Sequence, residues 1–167
     1  NFDITEDPSG PNYLSVGLNL SSDFKNRTDW NILLSLTRRS INELGAEWHT
    51  EAIVGSTAGF LSEFYQPLDY GGIFFIAPTF QYRSDLQDLY DGKDHIAEYD
   101  IKTTELLFDF GIQLRHYAEL RFGPIWGNAD ADIKTGTAGL LSFDDEYVGA
   151  AIALIIDRKD RTYFERE

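Results

Sequence analysis

Apolar and polar residues alternate along the segment TTELLFDFGIQL, residues 103–114. A period of two places successive side chains on opposite faces of a β-strand. The largely apolar face carries Thr104, Leu106, Phe108, Phe110, Ile112 and Leu114, and the more polar face carries Thr103, Glu105, Leu107, Asp109, Gly111 and Gln113. An alternation sustained over about ten residues is typical of a transmembrane β-strand. The segment therefore predicts a strand with one face toward lipid and the other toward water.

The same division recurs along the chain. Residues 118–126 set Leu120, Phe122 and Trp126 against Glu119 and Arg121. Similar alternation predicts strands at residues 13–22, 30–39, 46–54, 60–66, 73–82 and 147–156. The predicted fold class is all-β, an antiparallel up-and-down transmembrane β-barrel with about eight strands in this chain. These strands are either the first half of a sixteen-stranded barrel or a closed eight-stranded barrel.

The connections between the predicted strands alternate roughly between long and short. Residues 21–29, 83–100 and 128–146 are polar and predict long loops, whereas residues 40–45 and 115–116 predict short turns. Residues 83–100 are expected to form the longest loop, with the flanking strands extending into its base. Outer-membrane barrels show this asymmetry between short periplasmic turns and longer external loops.

Two regions are predicted along the chain. Residues 1–12 contain two prolines and a glycine among acidic residues and predict a linker, and residues 13–167 predict one barrel domain. The chain contains no methionine. We therefore expect it to be a fragment of a longer protein.

Composition excludes several classes of partner and chemistry. The net charge of −14 argues against nucleic acid, whose phosphates require a basic surface. The absence of cysteine excludes disulfides and thiolate metal sites. No apolar run is long enough to predict a transmembrane helix.

The charged residues of the predicted strands fall mainly on one face. If the strands close into a barrel, the candidate residues that line the lumen are Glu47, His49, Glu51, Glu63, Arg83, Glu105, Asp109, Glu119 and Arg121. The candidate lipid-facing residues are Leu106, Phe108, Phe110, Ile112, Leu120 and Phe122. Carboxylates removed from bulk water need counter-charges or bound water. A hydrated or salt-bridged interior is the favoured interpretation, and a cation-selective pore is the alternative.

No catalytic or cofactor motif is found. The strings GSTAG (55–59) and TGTAG (135–139) place threonine where a nucleophile elbow needs serine, so they predict tight turns. Asn128, Asp130 and Asp132 resemble the start of a calcium loop, but the glycine and the closing glutamate are missing, which favours a solvated external loop. We predict no catalytic residue, no metal and no cofactor.

Three stretches carry a family resemblance: GLNLSSDF (17–24), LLSLTRRSINELGAEW (33–48) and EFYQPLD (63–69), the last followed by Phe74 and Phe75. They resemble the carboxy-terminal barrel of bacterial patatin-like phospholipase autotransporters, a member of the bacterial surface antigen superfamily. The resemblance extends through about residue 83. It implies a sixteen-stranded barrel in the bacterial outer membrane, in contact with membrane lipid and lipopolysaccharide and covalently attached to a secreted patatin domain.

The resemblance also implies that this chain is not itself an enzyme. The patatin Ser/Asp dyad and its glycine-rich oxyanion motif are absent from the sequence. Phospholipase activity would belong to the attached domain, and the barrel would anchor it and help export it, as in type V secretion.

Two alternatives remain open at the level of sequence. One is a self-contained eight-stranded outer-membrane barrel acting as a small porin, an adhesin or an envelope-stabilising protein. The other is a soluble lipocalin-like lipid binder, whose apolar face would point inward. Periodicity does not distinguish inward from outward, because a period of two is symmetric. An open edge could be closed by self-pairing, by a homodimer or by further strands.

Overall fold

The computed structural model describes residues 12–22, 28–91, 94–114, 118–136 and 142–156. Its elements are β1 (Asn12–Ser22), β2 (Thr28–Arg38), β3 (Glu47–Gly55), β4 (Ala58–Pro67), β5 (Phe74–Asp91), β6 (Asp94–Leu114), β7 (Ala118–Gly136) and β8 (Phe143–Ile156). Within the described ranges, no helix is long and apolar enough to cross a membrane. Residues 1–11 of the predicted linker lie outside the described residues.

The strands form one antiparallel sheet in the order β1-β2-β3-β4-β5-β6-β7-β8. Each strand pairs with its neighbours in sequence, because short connections favour antiparallel hairpins. This confirms the all-β, up-and-down, eight-stranded part of the predicted fold class.

The sheet does not close into a barrel. In the described part of the chain, β1 contacts only β2 and β8 contacts only β7. The predicted closed eight-stranded barrel is therefore wrong for this structure. An eight-stranded barrel has an interior just wide enough for packed side chains, whereas the inner face of this sheet carries charged side chains that form ion pairs across several strands above an aromatic ring.

Three strands are much longer than predicted. β5, β6 and β7 contain 18, 21 and 19 residues. Residues 83–100 and 128–146, predicted as long loops, are mostly strand, and only residues 92–93 separate β5 from β6. β5 and β6 remain paired through their polar residues, from Ser84↔Lys102 to Asp88↔Glu98. Strands pair through backbone hydrogen bonds, which do not depend on the polarity of the side chains. The segment from Asn128 to Asp132, predicted as a solvated loop, likewise lies in β7.

Curvature gives the sheet an inner and an outer face. Arg121 on β7 bonds to Glu63 on β4 across two intervening strands. Side chains can meet in this way only on the inside of a curve. Odd-numbered residues of β3 to β7 therefore lie on the concave face, where Phe75 and Ala77 are buried. Even-numbered residues lie on the convex face.

The convex face carries an apolar belt with a defined upper limit. One row across paired strands consists of Phe80, Leu106, Trp126 and Val148. The next row, two residues further along each strand, consists of Tyr82, Thr104, Asn128 and Glu146. Beyond it the convex face is charged, so β5, β6 and β7 extend past the belt by several residues.

Candidate functional site

Arg121 is the centre of the most highly connected group on the concave face. Its Nη1 lies 2.6 Å from Glu63 Oε2 and 3.9 Å from Asp109 Oδ2, and its Nε bonds to Glu119. The Thr79 hydroxyl donates to the same Glu63 carboxylate at 3.3 Å. Four of the predicted lumen residues, from β4, β6 and β7, thus form one ion-pair network.

Two aromatic rings pack next to this network. Phe75 on β5 is 1% exposed, and the Arg121 guanidinium lies 5.5 Å from the centre of its ring. The Tyr65 ring is 4.5 Å from the Phe75 ring. Phe75 faces Gly111 on β6, where a Cβ would lie 1.8 Å from the ring. The missing side chain at residue 111 therefore provides the space for the ring beneath the guanidinium.

His49 and Glu51 form a second, separate group on β3. His49 Nε2 is 2.9 Å from Glu51 Oε1, and His49 Nδ1 is 2.9 Å from the Thr37 hydroxyl on β2. A carboxylate only accepts hydrogen bonds, so Nε2 is the donor to Glu51, and in the corresponding neutral tautomer Nδ1 accepts from the Thr37 hydroxyl. The ring is fixed between two strands rather than free to move.

The remaining predicted lumen residues each have their own partners. Glu105 accepts hydrogen bonds from Gln81 on β5 and from the Tyr147 hydroxyl on β8. Arg39 Nε lies 3.6 Å from Glu47 Oε2, and Arg83 pairs with Asp85 of its own strand. All nine candidates lie on strands whose odd residues are concave. Whether that face lines a lumen stays a prediction.

The predicted lipid-facing residues all lie on the convex face. Leu106 is 55% exposed and Phe110 is 45% exposed, and Phe108 and Phe122 are also exposed. Ile112 and Leu120 are partly covered by neighbouring side chains. Aromatic contacts tie this face together, since Phe110 lies 5.4 Å from Phe108 and 6.1 Å from Phe122 between ring centres. That this face contacts lipid also stays a prediction.

Charged residues occupy the convex face beyond the apolar belt. Asp100 accepts a hydrogen bond from the Ser84 hydroxyl at 2.7 Å and lies within 4 Å of Lys102 and Lys134. The Ser84 hydrogen bond is the main cause that holds the pKa of Asp100 below its ordinary value, and the lysines add to it. Asp100 in turn raises the pKa of Lys102. Ser84 and four charged residues thus form one group on this part of the convex face; the charged residues are Asp100, Lys102, Asp132 and Lys134.

The opposite end of the sheet carries short, ordered turns. In residues 68–73, Asp69 Oδ1 accepts from the backbone N–H of Phe74 at 2.9 Å and of Ile73 at 3.0 Å. The Phe74 hydrogen bond is the largest cause that lowers the pKa of Asp69. In residues 39–46, the Asn42 side chain accepts from two backbone N–H groups and donates to Gln66 at 2.7 Å.

Sequence reasoning missed several residues of the concave face. Phe75 and Gln81 were not identified as part of it, although their odd numbers place them on the same face as Glu63. Tyr147 was also absent from the candidate residues, and its hydroxyl bonds to Glu105. Parity along the strands would have identified all of them.

No metal-binding group of three or more His, Cys, Asp or Glu side chains occurs among the described residues. The chain matches no protein-family model, no curated protein and no solved structure. The described strands form a sheet with an apolar convex face and an ion-paired concave face.

Proposed function

We propose that the chain is a non-catalytic segment of a bacterial outer-membrane β-barrel that anchors an attached patatin-like phospholipase domain and helps to export it. The main support for a location in the membrane is the difference between the two faces of the sheet. The belt on the convex face is apolar and exposed, and the concave face holds the Arg121 ion pairs. A curved sheet in lipid requires this polarity, because its outer face meets hydrocarbon and its inner face meets water.

The open edges of the sheet support a larger barrel rather than a small one. Unpaired backbone groups are not tolerated in the hydrocarbon region of a bilayer. In the described residues, the outer edges of β1 and β8 have no strand beside them. We propose that further strands of the same polypeptide complete the barrel, in keeping with the sixteen strands that the family resemblance implies. A second copy of the chain is the alternative occupant.

The lipocalin-like alternative is not favoured by the direction of curvature. A soluble lipocalin-like barrel points its apolar residues inward and its polar residues toward solvent. Here the ion pairs of Arg121 lie inside the curve, and Leu106 and Phe110 lie outside it.

Paired single-cysteine variants test the membrane proposal. Val16 and Ser15 are neighbours on β1, lie on opposite faces and are both exposed in the structure. We expect a membrane-impermeant thiol reagent to label Ser15→Cys readily and Val16→Cys at least several-fold more slowly in lipid vesicles. In urea both variants should react alike. Equal, rapid labelling of both variants in the presence of vesicles would refute the membrane proposal.

The attached domain requires a separate test on the full-length protein in cells. We expect the hydrolase domain to be degraded by protease added outside the cells while the barrel strands resist. Deletion of residues 13–167 should abolish this surface exposure. A hydrolase domain that still reaches the surface without the barrel would contradict the export role and leave membrane insertion unaffected.

A further inference from the structure

An apolar groove of about 600 Å³ crosses the convex face. Its walls are the rings of Trp48, Phe64, Phe80, Phe108 and Trp126, and its floor is formed by the smaller Ser62 and Pro78. Ligand pockets in proteins usually enclose about 300–1,000 Å³. The groove is therefore large enough to hold part of a bound molecule.

The interior of the groove favours an apolar ligand. The Trp48 indole N–H donates to the Ser62 hydroxyl at 2.8 Å, so the indole donor is already satisfied. The Trp48 and Phe64 rings meet edge to face at 6.5 Å, which fixes one wall. A hydrocarbon chain would bury apolar surface between these rings at no cost in broken hydrogen bonds.

The positively charged side chain of Arg38 lies at one end of the groove. Arg38 is the last residue of β2, lines the groove and pairs in register with Trp48. Its side chain is exposed, and no carboxylate of the described strands and turns forms an ion pair with it. The neighbouring Arg39 differs, since it is paired with Glu47 and its guanidinium lies 5.8 Å from the centre of the Tyr13 ring.

Arg38 lies at the end of its strand, beside the apolar side chains of the groove. It lies where β2 leaves the apolar belt and enters the short connection of residues 39–46. A guanidinium binds phosphate through charge and paired N–H donors. A guanidinium that forms no ion pair within the described ranges, next to an apolar groove, thus complements a molecule with one anionic head and one hydrocarbon tail.

We propose that this groove binds an anionic glycerophospholipid. One acyl chain would lie between the side chains of Trp48 and Phe80, and the phosphate would bind to Arg38. The inference rests on the proposed membrane function, because only a convex face in contact with a bilayer meets such a lipid. It goes further by assigning a specific lipid site to one part of the belt.

Quenching of Trp48 fluorescence by brominated lipids tests the site. Trp30→Phe and Trp126→Phe leave Trp48 as the single tryptophan and keep an aromatic ring in the groove wall. The protein is placed in phosphatidylethanolamine vesicles with a small mole fraction of brominated phosphatidylglycerol or, separately, brominated phosphatidylcholine. We expect several-fold stronger quenching by the phosphatidylglycerol.

Two arginine variants control for charge and for general insertion. Arg38→Gln should remove the excess quenching by brominated phosphatidylglycerol, and Arg39→Gln should retain it. Equal quenching by both lipids, unchanged in Arg38→Gln, would overturn the lipid site while leaving membrane insertion intact. If no brominated lipid quenches Trp48, even as the main lipid, both the lipid site and the proposed membrane function fail.

Discussion

Arg121 on β7 and Glu63 on β4 form an ion pair at 2.6 Å although two strands lie between them. Neighbouring strands are about 4.8 Å apart, so three such steps would place these strands roughly 14 Å apart in a flat sheet. The pair therefore forms only because the sheet curves, and it lies on the inner side of that curve. Asp109 and Glu119 complete the coordination of the same guanidinium.

Loss of Arg121 should destabilise the sheet more than loss of any exposed arginine. Its side chain is 16% exposed, and Arg121→Gln would leave the carboxylates of Glu63, Glu119 and Asp109 close together without a counter-charge. We expect a loss on the order of 2 kcal/mol in the free energy of unfolding, measured by urea titration in detergent micelles. The control is Arg83→Gln.

Arg83 provides a matched comparison because its environment differs. Its side chain is 71% exposed, and its partner is Asp85 on the same strand. Exposed ion pairs contribute about 0–1 kcal/mol, so Arg83→Gln should change stability little. Equal losses in the two variants would show that the Arg121 network does not hold the curvature.

Glycine at residue 111 is required by the ring of Phe75. An alanine Cβ there would lie 1.8 Å from the Phe75 ring, which is almost fully buried. We expect Gly111→Ala to cost about 1–3 kcal/mol through overpacking, measured as the shift in the urea midpoint. Gly17→Ala is the control, because its Cβ would meet Leu33 at an ordinary 3.6 Å.

A double variant separates the ring clash from a general effect of alanine. If the clash is the cause, adding Phe75→Ala to Gly111→Ala should cost less than the sum of the two single changes. Strict additivity would mean that Gly111 is needed for another reason.

The sequence pattern located each of the eight strands in the described residues, but not every strand end. Alternation predicted residues 103–114, and β6 contains all of them, yet β6 begins at Asp94. The missing part is polar, and its pairing depends on the partner strands β5 and β7 rather than on local hydrophobicity. A single-sequence pattern carries no signal for such a ladder.

The candidate site was predictable in composition but not in geometry. Odd numbering placed Glu63, Asp109, Glu119 and Arg121 on equivalent faces of their strands. That they meet depends on register and curvature, since Glu63 and Arg121 are 58 residues apart in sequence. The direction of curvature is also invisible to a pattern with a period of two.

The turn at residues 68–73 should give the protein a defined dependence on acid. The N–H groups of Phe74 and Ile73 lower the pKa of Asp69 in the folded state. A lowered folded pKa stabilises the protein above the ordinary aspartate pKa of about 3.9, and that contribution is lost as pH falls through the folded value. Wild type should therefore exceed Asp69→Asn in stability near neutral pH, and the difference should vanish in acid.

The variant Asp69→Ala distinguishes the charge from the hydrogen bonds. Alanine removes both acceptors, so this variant should remain less stable than wild type at low pH as well, where protonated aspartic acid still accepts through its carbonyl oxygen. Urea midpoints measured across the acid range provide the comparison. A constant difference between wild type and Asp69→Asn at every pH would contradict the lowered pKa.

The outer edges of β1 and β8 should not pair with each other in the full-length protein. Val16 faces Leu34 in register, at a separation suited to a disulfide, so Val16→Cys with Leu34→Cys should cross-link within one chain on oxidation. Val16→Cys with Ile152→Cys should not, because in the proposed larger barrel further strands would separate β1 from β8. Non-reducing electrophoresis and mass analysis give the result. An intrachain Val16–Ile152 cross-link would establish an eight-stranded barrel, and an interchain one would establish a dimer, so either would refute completion by strands of the same polypeptide.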